Sequence, residues 1–181
     1  MNFLLGSRLA GAGLLLAVLL VSPAGKAATE VSVEKGDGNL YFLLWAIHQQ
    51  EASGKVQVPS RYEPQFYERY IKGNSEFAQA VKRYGKEAVA SSYGPWQIMY
   101  PTAVEMGYQG RPGALSDAAI SLPYVIKYLR KLETKFGDDT AKIIHAYNAG
   151  PGSVRANGLA PARTPYTSKV LAYLDSISSY N

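Results

Sequence analysis

The chain has 181 residues, 47% of them hydrophobic and 18% charged, a length and composition that fit one packed domain and argue against a disordered chain. It contains no cysteine, which excludes disulfides, thiol chemistry and lipid attachment through a thiol. The net charge of +5 is too small and too dispersed to predict a nucleic-acid partner. Fourteen tyrosines against five phenylalanines fit either a sugar-binding groove or the amphipathic edges of a core.

Residues 1–28 have the pattern of a signal peptide. Arg8 supplies the positive charge, residues 10–21 form an uncharged leucine-rich run, and small residues around 25–28 offer a cleavage site. The run is short for a membrane span, although an uncleaved anchor stays open. We therefore expect an exported protein, periplasmic or secreted, with no stable membrane span once the signal is removed and with one domain over residues 29–181.

The first predicted helix carries the most informative side chain. Asn39 is expected to cap this helix, and the apolar residues that follow, including Leu44 and Ile47, recur at helical spacing. Continuing by four residues from Ile47 reaches Glu51, so a carboxylate ends an apolar face. Desolvation there would raise the pKa of Glu51 and let it donate a proton to a glycosidic oxygen. The alternative is a Glu at a frayed helix end that reaches water.

The rest of the chain is predicted to form further short helices, and no stretch alternates as a strand does. Gly and Pro separate these helices, which are expected over residues 75–84, from Trp96, from Pro101, over 117–136 with a kink or restart at Pro123, after Asp138 or Asp139, and from Thr164. The predicted fold class is all-α.

Three separated segments carry a family resemblance. Residues 46–54 (AIHQQEASG) resemble a helix that ends in a catalytic Glu, and residues 92–103 (SYGPWQIMYPTA) resemble a glycine-led segment with Gln, Met, Pro and Thr-Ala. Residues 146–154 (AYNAGPGSV) match almost letter for letter, and residues 166–170 match more weakly. In this order and at these spacings, the segments resemble the soluble lytic transglycosylase family of the goose-type lysozyme superfamily.

The resemblance implies a lysozyme-like single domain with a substrate cleft, and we expect no cofactor and no metal. It also implies non-hydrolytic cleavage of the β-1,4 bond between N-acetylmuramic acid and N-acetylglucosamine in peptidoglycan. Glu51 would protonate the leaving oxygen and then act as base on the C6 hydroxyl of the same muramic acid, which gives a 1,6-anhydro ring. Because this nucleophile belongs to the substrate, a second carboxylate is not needed, unlike in the usual glycosidases.

The glycine-led segment implies substrate-binding residues. Gln97 and the backbone around Ser92 and Gly94 would hydrogen-bond the acetamido groups of the sugar. The segment departs from the family at Trp96, which could stack on a sugar ring or fill the core. Ala52 stands where the family commonly has Ser, so help from that hydroxyl is absent unless the neighbouring Ser53 supplies it.

The last two matching segments imply residues that line the same cleft. Tyr147 would contact Glu51 or the substrate, and Asn148 would hold nearby backbone. Tyr166 would donate a hydrogen bond near Glu51. Ordinary helix packing is the alternative for both tyrosines.

Glu63 is a second candidate carboxylate, 12 residues after Glu51. It could pair with Arg61 and shape the site, which we favour, or it could hold a water molecule and make the protein a hydrolase, a goose-type muramidase. A further alternative makes Glu63 the acid and Glu51 its partner, although the apolar stripe that runs into Glu51 argues against it. The separation of the two carboxylates decides between a lyase and a hydrolase.

The remaining predictions concern metals and partners. His48 and His145 are too few and too far apart in sequence for a metal site, so structural roles are expected. Peptidoglycan strands are the expected partner, and the positive charge would favour an anionic cell wall. The small size hints at a cell-envelope assembly or secretion complex as a further partner, or at a local task. A non-catalytic wall-binding protein on the same fold is the alternative from another class.

Overall fold

The computed structural model describes residues 16–18, 31–33, 38–156 and 164–178. Two short strands, β1 (Leu16–Val18) and β2 (Val31–Val33), pair antiparallel. Apart from β1, the predicted signal peptide lies outside the described residues. None of the helices in these ranges combines the length and the apolar character that crossing a membrane requires.

Helices make up most of the described chain, which confirms the predicted fold class. In chain order they are α1 (Gly38–Ala52), α2 (Pro64–Phe66), a π-helical turn (Tyr67–Ile71), α3 (Ser75–Tyr84), α4 (Lys86–Val89), α5 (Tyr100–Glu105), a 3-10 helix (Pro112–Ser116), α6 (Ala118–Phe136), α7 (Thr140–Ala149), α8 (Ser153–Ala156) and α9 (Pro165–Ser178). A small antiparallel sheet has the order β3 (Arg61–Tyr62), β4 (Ser91–Tyr93), β5 (Ile98–Met99).

Helix α1 is buried along the stripe that the sequence predicts. Leu44 and Ile47, for example, expose 6% and 0% of their surface. Helix α9 packs along α1, where Trp45 meets Tyr173 edge to face with ring centroids 6.1 Å apart. The helix begins at Gly38, two residues before the start at Leu40 that a cap at Asn39 predicts. Packing against α9 therefore holds the end of α1 in place.

Carboxylates cap two of the predicted helices. The Asp117 side chain accepts a hydrogen bond from the backbone N–H of Ala119 at 2.9 Å, and Asp139 accepts one from Lys142 at 3.0 Å. Both satisfy N–H groups that a helix start leaves without a partner. Helix α6 runs continuously through Pro123, so the helix does not restart there.

The segment from Gly94 to Met99 differs from the predicted short helix. Residues 94–97 form a turn, and Ile98–Met99 is strand β5. Gly94 and Gln97 have φ values of 71° and 48°, and a right-handed helix cannot contain either. The prediction of a helix from Trp96 was therefore wrong, and so was the expectation that the chain has no strand.

Gly94 is a position where we expect no side chain to be tolerated. A Cβ atom there would lie 2.6 Å from the backbone oxygen of Leu115 and 3.0 Å from Oγ of Ser121. We expect Gly94→Ala to lower the free energy of unfolding by about 2–4 kcal/mol, since left-handed strain adds to overpacking. Urea denaturation measures the change. Gly113→Ala is the control, because nothing lies within 4 Å of its Cβ position; an equal loss in both variants would contradict the explanation.

Candidate active site

Glu51 lies in the last turn of helix α1, at the end of the buried stripe. Its side chain is partly buried, and this loss of water is the main cause that raises the pKa of the Glu51 carboxyl above its ordinary value. No basic residue lies in this last turn. The carbonyl groups at a helix C-terminus also disfavour a negative charge. Both effects favour the protonated acid that the sequence analysis expects.

The chain beyond Glu51 is held in one conformation by local contacts. Ser53 and Gly54 have positive φ values of 49° and 74°, which end the helix. The His48 ring donates from Nε2 to the backbone oxygen of Lys55 at 3.0 Å. This contact gives His48 the structural role that was expected for it. Ser53 itself is exposed, and Ala52 is buried with 5% of its surface accessible.

Tyr166 contacts the carboxyl group directly. Its hydroxyl donates to Oε1 of Glu51 at 2.8 Å. Burial, followed by the negative charge of Glu51, raises the pKa of Tyr166, so the phenol stays neutral and keeps its proton for this bond. Because Oε1 accepts the bond, Oε2 is the oxygen that can carry and transfer a proton.

The start of helix α9 places Tyr166. Thr164 caps the helix, since its Oγ1 accepts a hydrogen bond from the backbone N–H of Thr167 at 3.2 Å. Pro165 occupies the first helical position, as predicted. Tyr166 therefore stands in the first turn of a helix that packs along α1.

Gln97 joins the β4–β5 hairpin to the segment before β3. Its Oε1 accepts from Oγ of Ser92 at 2.8 Å, and its Nε2 donates to the backbone oxygens of Gly94 at 2.9 Å and Pro59 at 3.4 Å. The whole amide group is therefore engaged within the protein. A role of Gln97 in binding acetamido groups stays a prediction, and a sugar would have to share or exchange these bonds.

Trp96 and Tyr147 each donate a hydrogen bond to a backbone oxygen. Trp96 exposes 5% of its surface, and its Nε1 donates to the backbone oxygen of Leu44 at 3.0 Å. This burial favours the core alternative, because the indole presents almost no face to a sugar. Tyr147 donates its hydroxyl to the backbone oxygen of Trp96 at 2.7 Å, and not to Glu51. It is still near the acid, since the charge of Glu51, after burial, raises the pKa of Tyr147.

Arg61 and Glu63 form the predicted ion pair. Nε of Arg61 donates to Oε1 of Glu63 at 2.6 Å. The two charges act on Glu51 in opposite directions, because Arg61 lowers the pKa of its carboxyl and Glu63 raises it. The pair therefore lies within electrostatic reach of the acid.

Asn148 lies in the last turn of helix α7, which ends at Ala149. Its side chain is exposed in the last turn, and Gly150, with a φ of 82°, stops the helix as predicted. The role of Asn148 in holding backbone stays a prediction. His145, on the same helix, is 5% exposed. Across residues 38–156 and the other described ranges, no group of three or more His, Cys, Asp or Glu residues is arranged to hold a metal.

The site is thus one partly buried carboxyl group, held by a tyrosine and flanked by an ion pair. The sequence profile of the Transglycosylase SLT domain family matches residues 32–167. The chain belongs to the transglycosylase SLT family. SLT domains have a lysozyme-like fold, which agrees with the helices observed around Glu51. No significant match was found among curated proteins or among solved structures.

Replacing Tyr166 by Phe is expected to raise the pKa of Glu51 further. In the wild type, the hydrogen bond from Tyr166 stabilises the ionised carboxylate, so removing this bond favours the protonated form. A ¹³C NMR titration of the Glu51 carboxyl carbon measures the change. Tyr173→Phe is the control, because Tyr173 lies on the same helix but packs against Trp45. An unchanged or lowered pKa in Tyr166→Phe would contradict the role of the bond.

Glu51→Gln is expected to stabilise the fold at neutral pH. The pKa of Glu51 is higher in the folded than in the unfolded chain, so the unfolded chain loses its proton first as pH rises. Stability therefore falls as pH rises from the unfolded to the folded pKa, and above that window the ionised Glu51 destabilises the fold. The variant removes this cost. Urea denaturation at neutral pH should show a higher free energy of unfolding for the variant than for the wild type. This difference should vanish at about pH 3.5, where Glu51 is protonated in both the folded and the unfolded wild type. A gain of equal size at both pH values would contradict the linkage.

Proposed function

We propose that the protein is a peptidoglycan lytic transglycosylase that cleaves the β-1,4 bond between N-acetylmuramic acid and N-acetylglucosamine and leaves 1,6-anhydromuramic ends. One observation carries the proposal. In a chain of the SLT family, the Glu51 carboxyl is partly buried, its pKa is raised, and Tyr166 holds one of its oxygens at 2.8 Å.

In the first step, protonated Glu51 donates from Oε2 to the glycosidic oxygen. The bond from that oxygen to C1 of the muramic acid breaks, and N-acetylglucosamine leaves with the proton on its 4-hydroxyl. The acetamido group of the substrate stabilises the cation that develops at C1. Glu51 becomes a carboxylate, and the hydrogen bond from Tyr166 strengthens because its acceptor is now charged.

In the second step, the Glu51 carboxylate takes the proton of the C6 hydroxyl. The C6 oxygen bonds to C1 of the same muramic acid and closes the anhydro ring. Glu51 ends protonated, as it began, and no water is consumed. The raised pKa suits both steps, since the group must hold and then recover a proton near neutral pH.

A hydrolase on the same fold is the second candidate, and the observation that favours it is Glu63. Its charge reaches Glu51, so a water molecule could be held between the two carboxylates. The carboxylate of Glu63 is, however, paired with Arg61 at 2.6 Å. This pairing supports a shaping role and makes the lyase the preferred proposal.

The proposed substrate also indicates where the protein acts. An SLT domain that acts on the cell wall belongs in the cell envelope, and we propose a periplasmic or secreted protein. A cell-envelope assembly or secretion complex is proposed as a further partner.

Digestion of purified sacculi with wild type and Glu51→Gln tests the proposal. We expect the variant to lose about 10²–10⁴-fold in cleavage rate, because the general acid is gone, and to keep its binding to pelleted wall. Glu76→Gln, in exposed α3, should cleave normally. Full activity of Glu51→Gln would contradict the assignment. A wild type that binds the wall but releases no fragments would instead support the non-catalytic alternative.

The same digest, run in H₂¹⁸O, distinguishes lyase from hydrolase. A lyase gives anhydro-muropeptides without ¹⁸O, because the nucleophile is the substrate's own hydroxyl. A hydrolase gives reducing muramic ends that carry ¹⁸O. Mass spectrometry of the products reads the difference directly.

A further inference from the structure

Arg61 ends in an exposed guanidinium group, and the described residues contact it at one of its donors. Its side chain is 60% exposed on strand β3, and the contact with Glu63 engages Nε. An arginine has five N–H donors, so those on the two terminal nitrogens remain at the exposed end. An ion pair this exposed stabilises a fold very little, and stability gives a weak reason for placing it there.

The sheet fixes the backbone position of Arg61. Arg61 pairs with Ser92 in the β3–β4 register, and Ser92 pairs with Met99 of β5. The bond from Gln97 to the backbone oxygen of Pro59 anchors the segment that leads into β3. These contacts hold the backbone of Arg61 against the hairpin that carries Ser92 and Gln97.

Glu63 fixes the direction of the guanidinium group. Its backbone N–H donates to the oxygen of Ala90 at 3.0 Å, immediately before β4, so its own position is set by the sheet. By taking Nε of Arg61, it leaves the opposite edge and end of the guanidinium plane for a ligand. Among the charged side chains of the described residues, Arg61 is the cation whose charge reaches both Glu51 and Tyr166.

We propose that Arg61 binds a carboxylate carried by the muramic acid of the substrate, on its lactyl ether or on the peptide attached to it. This inference rests on the proposed function. Muramic acid differs from N-acetylglucosamine by the lactyl group, which is either a free carboxylate or the attachment point of a peptide that bears carboxylates. The planar fork of a guanidinium group matches a carboxylate with two parallel hydrogen bonds. Arg61 is thus a specificity residue that selects the muramic sugar beside Glu51.

Kinetics on three soluble glycan strands test the inference. The first strand carries native peptides, the second has all carboxyl groups converted to methylamides, and the third has its peptides removed so that free lactyl carboxylates remain. We expect Arg61→Gln to raise KM about tenfold on native strands with little change in kcat, the loss expected for one charge-assisted contact. On methylamide strands the variant and the wild type should have the same KM.

The third strand locates the carboxylate. A KM that still depends on Arg61 indicates the lactyl group, and a KM that does not indicates the peptide. Arg83→Gln is the matched control, because Arg83 lies on α3 over the ring of Tyr84, and it should leave every KM unchanged. Arg61→Lys keeps the charge but loses the fork, so we expect it to restore part of the affinity.

The ratio of KM values between native and methylamide strands is the decisive quantity. Removing Arg61 also changes the pKa of Glu51, but that change affects both strands alike and cancels in the ratio. An equal rise in KM on both strands would overturn the inference and leave the proposed function intact. If wild type cleaves none of the strands, the proposed function fails and the inference fails with it.

Discussion

The hydrogen bond from Tyr166 to Glu51 joins residues that are 115 positions apart in the chain. It connects the C-terminal end of α1 to the N-terminal turn of α9, and both helices must pack in register for the two groups to meet. The capping of α9 by Thr164, the buried stripe of α1 and the aromatic contact between Trp45 and Tyr173 all serve this alignment. The environment of Glu51 therefore depends on tertiary packing and not on a local loop.

The protonation of Glu51 results from opposing effects. Desolvation raises its pKa and is the largest cause, while the hydrogen bond from Tyr166 and the charge of Arg61 lower it. The charge of Glu63 also raises it, by repulsion. The proposed mechanism needs an acid that gives up a proton and recovers it, and a pKa raised by desolvation suits that role.

Much of this arrangement could be predicted from the sequence, for identifiable reasons. Helical periodicity reaches Glu51, and the pair Thr164-Pro165 marks the start of α9, because both are local signals. The AYNAG segment and the profile match give the family and the fold. The partner of Tyr147 could not be predicted, because its bond to the backbone of Trp96 spans 51 positions. The hairpin after Gly94 was missed because a positive φ at Gln97 leaves no signal in a sequence of ordinary residues.

Gln97 combines an unfavourable backbone with three side-chain contacts, and this has a consequence for how the protein can vary. A residue with a Cβ atom is strained at a φ of 48°, so glycine would suit the main chain better. Glycine would, however, disconnect Ser92 from Pro59, and asparagine is one methylene shorter. The position thus keeps its strain because only a long amide can bridge both sides. Gln97 therefore links the β4–β5 hairpin to the segment that leads into the strand carrying Arg61. An insertion in the hairpin or in that segment would disturb both.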